Sequence, residues 1–214
     1  MTDANFSTNR RPVAARGSAW AAKLTTLAVQ RGLTPNQISM ASAGFALLGL
    51  GFYVVSPLGP GFVQWLCLIL AAIACEARMV CNLIDGMVAV EGGQGTPDGA
   101  FWNEAPDRLS DLMLLTGAGI AAGNAGLGAV AGALAIACAY LRELGRAEGF
   151  APDFGGVFAK PGRMIALTIG TVVAAFYATE WSLQLTLWVI ILGTSVTLVG
   201  RAYRLIEALN ARKL

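Results

Sequence analysis

The sequence predicts an all-α integral membrane protein with six transmembrane helices, preceded by an interfacial amphipathic helix. Of its 214 residues, 56% are hydrophobic and 13% are charged, whereas an ordinary soluble domain is roughly 25% charged. The apolar residues form long runs and not alternating stripes, so a single soluble core cannot bury them all. A lipid bilayer is therefore the expected environment of the chain.

Six apolar segments are predicted to form the membrane helices. Several are shorter than the ~20 residues that a span requires, so their polar ends must continue the helices into the interface or a hydrated cavity. Two tight breaks, "SPLGPG" and "GNAG", predict hairpins between the first and second segments and between the third and fourth. The segments lie at about residues 38–55, 62–80, 109–122, 127–141, 164–179 and 183–199.

The basic residues predict the orientation of these segments. The breaks at 56–61, 123–126 and 180–182 contain no Lys or Arg. All fifteen Lys and Arg residues lie in the N-terminal arm, near the ends of the second and third segments, between the fourth and fifth, or after the sixth. The positive-inside rule then predicts that both termini and the second and fourth connections are cytoplasmic.

The chain is expected to have three parts, which are a cytoplasmic N-terminal arm at 1–34, a membrane domain at 35–205 and a tail at 206–214. In the arm, Trp20, Leu24 and Leu27 share one face of a predicted helix, which favours a helix lying in the cytoplasmic interface. An ordinary polar lead-in is the alternative. The arm has no apolar core segment, so no cleavable signal peptide is expected.

Residue types narrow the possible chemistry. Histidine is absent, which excludes imidazole catalysis and imidazole metal ligands. The four cysteines lie in or beside apolar runs without a C-x-x-C pair, so we expect reduced packing residues and no disulfide. Gly128 and Gly132 form a G-x-x-x-G pair, which would allow close helix approach or dimerisation.

Two polar clusters flank the connection between the second and third segments. Within each cluster, polar and small residues recur every three or four positions, so each set shares one face of a helix. A glycine-rich turn, "EGGQGTPDG", joins the two helices and lets both sets face one cavity. The first set is Arg78, Asn82, Asp85 and Ala89, and the second is Gly99, Asn103, Asp107 and Asp111.

These clusters predict a site for a hard metal ion. Carboxylate and amide oxygens suit Mg²⁺ or Mn²⁺, and no soft ligand competes. The five acidic residues of this connection do not alternate with lysines, as they would on a solvated helix. Ionisable groups at membrane depth are costly and usually functional. The alternative is that the clusters are only solvated helix ends at a membrane surface.

The two clusters resemble the signature of the CDP-alcohol phosphatidyltransferases, D-x2-D-G-x2-A-R-x8-G-x3-D-x3-D. "GLTPNQIS" is similar to the Thr-Pro-Asn entry of that family, and "YLRELGRAE" resembles its arginine-bearing end of the fourth span. Three positions depart from the signature, because two aspartates are replaced by Asn82 and Asn103, and an arginine by Val90. The chain reads Asn82-x2-Asp85-Gly86-x2-Ala89-Val90-x8-Gly99-x3-Asn103-x3-Asp107, with every spacing kept.

The resemblance implies transfer of a phosphatidyl group from CDP-diacylglycerol to a small polar alcohol, with release of CMP. It also implies dependence on Mg²⁺ or Mn²⁺, a homodimer and no nucleic-acid partner. We expect the protein to lie in a bacterial inner membrane, with its active site facing the cytoplasm.

The same resemblance assigns roles to individual positions. Asp85 would be a metal ligand, and Asp107 both a ligand and the candidate base. Asn82 and Asn103 could coordinate only through neutral carbonyl oxygens. The expected substrate contacts near the diphosphate are Gly86, Ala89, Gly99 and, in the Thr-Pro-Asn entry, Asn36.

The missing charges limit the number of ions. Four carboxylates would offset two divalent ions, whereas the two that remain offset one. We therefore expect a one-metal site, or a two-metal site in which Glu104, Asp111 or Glu91 supplies the missing charge.

A basic cluster in the second large cytoplasmic connection could bind a phosphorylated acceptor, such as glycerol phosphate or an inositol phosphate. Simple positive-inside anchors are the alternative. Arg142 and Arg146, four residues apart, are the better pair, while Arg78 could hold a lipid phosphate, pair with Asp85 or act as an anchor. The cluster consists of Arg142, Arg146, Lys160 and Arg163.

Two other functions stay open at this point. Membrane prenyltransferases also bind a diphosphate through Asn/Asp-rich clusters, although their motif spacing differs and their bundles are larger. A lipid- or CDP-nucleotide-binding membrane protein could have kept the fold and lost catalysis through Asn82, Asn103 and Val90.

Overall fold

The computed structural model describes residues 14–212, so 1–13 of the expected arm and 213–214 of the expected tail lie outside it. Within the described range there is no strand. Short 3-10 turns occur at Ala14–Gly17 and Ser56–Leu58. The helices are α1 (Ala19–Gln30), α2 (Pro35–Val55), α3 (Phe62–Glu91), α4 (Gly99–Ala121), α5 (Ala125–Ala147), α6 (Lys160–Phe176) and α7 (Thr179–Asn210).

Each predicted apolar segment corresponds to one helix, from α2 to α7, although the third segment runs one residue past the end of α4 and the fifth three residues past the end of α6. Most helices extend past the segments at their polar ends. The extension is longest where α3 continues to Glu91 and α4 begins at Gly99. The break predicted at 180–182 instead lies at residues 177–178, where Ala178 adopts φ 36° and turns the chain. At the other end, α7 runs to Asn210, past the boundary expected at 205.

The outer surface of the bundle is apolar. Large apolar side chains such as Leu192, Val196 and Val199 are 63%, 66% and 68% exposed. A folded protein exposes many large apolar side chains only where its surroundings are also apolar, as lipid is. Within residues 14–212, four helices are long and apolar enough to cross a membrane. Of the other two long helices, α4 begins with a polar half and α6 has only 17 residues. The chain is therefore an all-α integral membrane protein.

The first long helix starts where its sequence provides a cap. Thr34 Oγ1 accepts a hydrogen bond from the Gln37 backbone N–H at 3.3 Å, and the Gln37 side chain accepts one from the Thr34 N–H at 3.0 Å. This reciprocal pair is a capping box, and Pro35 occupies the first turn, where no helical N–H is needed. The cap fixes where Asn36 and the following polar residues of α2 point.

The hairpin of α4 and α5 is tight because its contact residues are small. A Cβ atom at Gly128 would lie 2.3 Å from the Leu115 carbonyl oxygen, and one at Gly132 would lie 2.7 Å from a methyl group of Leu112. Only glycine permits this approach. The predicted close helix approach is thus confirmed, and it lies within one chain, so these buried glycines are not free for a contact with a second chain.

Helix α1 packs on α3 through a narrow face of small residues. Ala21 and Ala28 are buried against an apolar group of α3 that includes Met87 and Val88. The side chains of Trp20, Leu24 and Leu27 are 45%, 39% and 42% exposed on the remainder of the helix.

A buried ion network connects α3, α4 and α6 inside the bundle. Arg78 is fully buried, and its Nη2 atom forms a close ion pair with Asp111 Oδ1. The same nitrogen lies 3.5 Å from Asp107 Oδ1, while Arg163 Nη2 lies 3.4 Å from Asp111 Oδ2. Since a buried charge is tolerated only when it is paired, these contacts fix the relative positions of the three helices.

The structure differs here from two sequence-based expectations. Arg78 pairs with Asp111 and Asp107 and not with Asp85, and its complete burial leaves no surface for a lipid phosphate. Asp111 does not reach the cavity, because both of its oxygens are engaged by arginines in the interior. Arg78 and Asp111 therefore do not line the cavity, and they hold in place the helices that do.

We predict that Arg78→Met lowers the free energy of unfolding by about 3–5 kcal/mol, since the fully buried Asp111 loses its close partner and keeps only Arg163 at 3.4 Å. Thermal unfolding in detergent measures the change as a lower Tm. Arg108→Met is the matched control, because Arg108 forms a partly exposed pair with Glu104 at 2.6 Å, and such a pair contributes up to about 1 kcal/mol. Equal losses of Tm in the two variants would contradict this account.

Candidate functional site

A cavity of about 380 Å³ opens among the polar ends of α2 to α5 and the start of α6. Both halves of the predicted motif line it, whereas Arg78 and Asp111 do not. The expected site residues in its lining are Asn36, Asn82, Asp85, Gly86, Ala89, Gly99, Asn103, Glu104, Asp107, Arg142 and Arg146.

Asp85 presents one carboxylate oxygen that has no hydrogen-bond partner. The residue is 3% exposed, and its Oδ2 atom accepts a hydrogen bond from Ser39 Oγ at 2.7 Å. Its Oδ1 atom is buried without a donor. A buried anionic oxygen is normally satisfied, so this atom is the position in the cavity best suited to a bound cation.

Asn82 joins three helices through its side-chain amide. Its nitrogen donates to Asp107 Oδ1 on α4, and its oxygen accepts from Ser42 Oγ on α2. The expectation was that this carbonyl oxygen would face a metal. In the structure this oxygen instead accepts the hydrogen bond from Ser42, and the amide nitrogen of Asn82 faces Asp107.

Asp107 is surrounded by donors on both oxygens. Lys160 Nζ forms a close ion pair with Oδ2, and Arg108 Nη2 lies 3.7 Å from the same oxygen. Lys160 is the first residue of α6, where the helix dipole disfavours a cation. The ion pair with Asp107 compensates for that position, so the carboxylate and the lysine stabilise each other.

The other acidic residues at the cavity have their own partners. Glu104 Oε2 pairs with Arg108 Nη2 at 2.6 Å and accepts a hydrogen bond from Arg142 Nη2. Asn103 is exposed at the edge of the cavity. Glu91 lies at the exposed end of α3, outside the cavity lining.

The predicted arginine pair on α5 also faces the cavity. Arg142 is 5% exposed, pairs with Glu143 Oε1 at 2.9 Å and lies over the ring of Phe154 at 5.4 Å from the centroid. Arg146 is more exposed and pairs with the second oxygen of Glu143 at 3.0 Å. Glu143 therefore holds the two guanidinium groups side by side.

The glycine-rich turn is attached to the start of α2. Asn36 Nδ2 donates to Thr96 Oγ1 at 3.3 Å and to Asp98 Oδ1 at 3.4 Å, and Trp102 Nε1 donates to Asp98 Oδ2 at 2.9 Å. Hydrogen bonds from the side chains of Thr96 and Trp102 hold the pKa of Asp98 below its usual range. The turn needs Gly93, whose φ is 64°.

Sequence reasoning missed three residues that line the cavity or bind its lining, namely Ser39, Ser42 and Arg16. Ser39 and Ser42, which bind Asp85 and Asn82, follow Asn36 at intervals of three residues on α2, and that spacing was a readable signal. Arg16 also lines the cavity from the N-terminal side. Nothing in the local sequence of Arg16 indicates that contact.

The arrangement supplies the groups needed to bind and transfer a phosphate. Asp85 offers an anionic ligand to a cation, while Lys160 and Arg142 offer positive charge to phosphate oxygens. Asp107 is a carboxylate that can accept a proton. All four side chains line one cavity at the polar ends of the helices.

Comparison with known proteins gives several relatives that align over most of the chain. The chain is 26% identical over 215 residues to the phosphatidylinositol phosphate synthase of Mycolicibacterium smegmatis, covering 95% of this chain and 86% of the relative. The synthase of the same name from Corynebacterium glutamicum is 29% identical, covering 82% and 78%. An uncharacterised protein of Aquifex aeolicus is 30% identical, covering 85% and 86%. No protein-family model matches.

Solved structures share the fold. A crystal structure of phosphatidylinositol phosphate synthase from Mycobacterium tuberculosis in complex with manganese and citrate superposes with a TM-score of 0.71 at 20% identity, covering 86% of this chain and 88% of that one. A second, with CDP-DAG bound, gives 0.70 at 21% identity, covering 88% and 94%. The relatives aligned over most of the chain show that it belongs to the CDP-alcohol phosphatidyltransferase family.

Proposed function

We propose that this protein transfers the phosphatidyl group of CDP-diacylglycerol to a small polar alcohol and releases CMP. The observation that carries the proposal is the single cavity into which Asp85 and Asp107 both project, at the motif spacing of the family. The cavity lies at the polar ends of apolar helices, so a lipid substrate could keep its acyl chains in the bilayer. A family relative has been crystallised with CDP-DAG bound, which supports the choice of donor.

The reaction exchanges the phosphoanhydride bond of the diphosphate for a phosphate ester bond to the acceptor. The acceptor hydroxyl oxygen forms a bond to the lipid-side phosphorus, and the bond from that phosphorus to the CMP oxygen breaks, so CMP leaves with the electron pair. Asp107 takes the hydroxyl proton. To do so it must exchange one of its present donors, Lys160 or Asn82, for the incoming hydroxyl.

The residues present fit a divalent cation. Asp85 supplies the unpartnered carboxylate oxygen, and hard oxygen ligands suit Mg²⁺ or Mn²⁺. Within residues 14–212 no three His, Cys, Asp or Glu side chains converge as a metal cluster, so water, amide or phosphate oxygens would complete the coordination. When bound, the cation would neutralise charge on the diphosphate. The relative solved with manganese supports this assignment.

Purified protein is expected to release CMP from CDP-diacylglycerol when a suitable alcohol is added. Asp107→Asn should lower the rate by about 10²–10⁴-fold, the usual contribution of a general base. Asp153→Asn is the control, since it is the same substitution at a carboxylate that pairs with Arg204 and lies outside the cavity. Binding of CDP-diacylglycerol without CMP release, for every alcohol tested, would instead identify a noncatalytic binding protein of this fold.

For the acceptor, we propose a phosphorylated alcohol of the inositol phosphate type. Three cations line the cavity at Arg142, Arg146 and Lys160. Lys160 also begins α6, and a helix N-terminus favours a bound phosphate. Both named relatives are phosphatidylinositol phosphate synthases, which is consistent with this acceptor.

Arg142→Gln is expected to raise the KM for inositol phosphate by about 10-fold or more, because a hydrogen bond to a charged group is lost. The KM for CDP-diacylglycerol should change much less. Arg204→Gln serves as the control on α7, since Arg204 pairs with Asp153 outside this cavity. Equal rates with inositol and inositol phosphate in the unaltered protein would rule out the phosphate contact.

We further propose six membrane spans in a bacterial inner membrane, with both termini and the cavity in the cytoplasm and α1 in the interface. The exposed faces of Trp20 and Leu24 support the interfacial position of α1. In intact spheroplasts, a membrane-impermeant thiol reagent should label Pro60→Cys and leave Ala151→Cys unlabelled, above the background of the four native cysteines. The reverse pattern would invert the topology.

The proposed homodimer rests on the family resemblance. The pair of glycines on α5 gives it no support, because Gly128 and Gly132 pack within the chain. Light scattering on the protein in detergent should give the mass of two chains.

A further inference from the structure

We infer that this site binds a single divalent cation, at Asp85, and that buried protein cations replace a second ion at Asp107. The inference rests on the proposed function, because it assumes that the cavity binds the diphosphate of CDP-diacylglycerol. It concerns the departures of this chain from the four-aspartate motif and gives them a physical reason.

Among the described residues, Asp85 forms no close ion pair, whereas Asp107 pairs with Lys160. The carboxylate is 3% exposed and its Oδ1 atom has no hydrogen-bond donor. Its second oxygen accepts from the neutral hydroxyl of Ser39. A buried carboxylate whose donors are neutral and whose Oδ1 atom lacks one is stabilised strongly by a cation, and the cavity gives a small ion access to it.

The Asp107 half already contains its positive charge. Lys160 Nζ pairs closely with Oδ2, and Arg78 Nη2 lies 3.5 Å from Oδ1. Lys160 is 4% exposed and Arg78 is fully buried, so water screens neither charge well. A divalent ion at this carboxylate would meet two resident cations at short range, and like charges in a buried site repel strongly.

Among residues 14–212, the acidic side chains proposed to replace the two missing motif charges are already paired or lie outside the cavity lining. Glu104 is engaged by Arg108 and Arg142, and Asp111 by Arg78 and Arg163. Each of these two carboxylates is therefore already neutralised by arginine in the metal-free protein. The two-metal arrangement with a substitute carboxylate, which the sequence left open, has no available donor here.

Asn82 also fits a site in which Lys160 and Arg78 take the place of a second metal ion. Its amide nitrogen donates to Asp107, while its oxygen accepts from Ser42. An aspartate at this position would place a second negative charge against Asp107 and would require a cation between the two. The neutral amide removes that requirement and adds a donor.

The test is the number of Mn²⁺ ions bound per chain, obtained by titrating purified protein in detergent and measuring free Mn²⁺ by electron paramagnetic resonance. The unaltered protein should bind one ion, and Asp85→Asn should bind it at least 100-fold more weakly. The double variant Asn82→Asp with Lys160→Gln should bind two. Asp153→Asn, a change outside the cavity, should still bind one.

Two ions bound to the unaltered protein would overturn the inference, as would undiminished Mn²⁺ affinity in Asp85→Asn or a single ion in the double variant. Because the double variant gains a site, its expected result cannot come from misfolding. A Tm close to that of the unaltered protein is the folding control for Asp85→Asn. One bound Mn²⁺ without CMP release would refute the proposed function alone, and two bound ions with full CMP release would refute the one-ion site alone.

Discussion

The whole structure depends on the neutralisation of charge buried among apolar helices. Arg78 and Asp111 lie inside the bundle with almost no exposed surface, and the close ion pair between them offsets much of the cost of burying both charges. Their pairing connects α3 to α4, and Arg163 extends the network to α6. The cavity adjoins this network through Asp107, so its carboxylates are positioned by the same requirement that holds the helices together.

Short hairpins and small residues bring these charges to one place. The cap at Thr34 starts α2 where Ser39 and Ser42 can meet α3. The glycines of the α4–α5 crossing let those helices approach closely, which carries Arg142 towards Glu104. The motif residues of the site are thus positioned by helices α2 to α6.

Much of this arrangement could be predicted because it depends on local periodicity. The apolar runs indicated six helices, and the spacing of Asn82, Asp85 and Asp107 indicated a common cavity. The ion pairs between buried side chains could not be predicted from the sequence. The sequence gives no distance between Lys160 and Asp107, which are 53 residues apart, and the partner of a buried arginine depends on tertiary packing. The spacing of Ser39 and Ser42 indicates one face of α2, but their partners, Asp85 and Asn82, depend on how α2 packs on α3.

The most direct test of the central claim is an experimental structure of this protein with CDP-diacylglycerol and Mn²⁺, in which anomalous scattering locates the metal. The account predicts the diphosphate in the cavity between Asp85 and the cations Lys160 and Arg142, with one manganese peak beside Asp85. A diphosphate bound outside this cavity would contradict the account. So would two manganese ions on either side of Asp107, with Lys160 displaced from it.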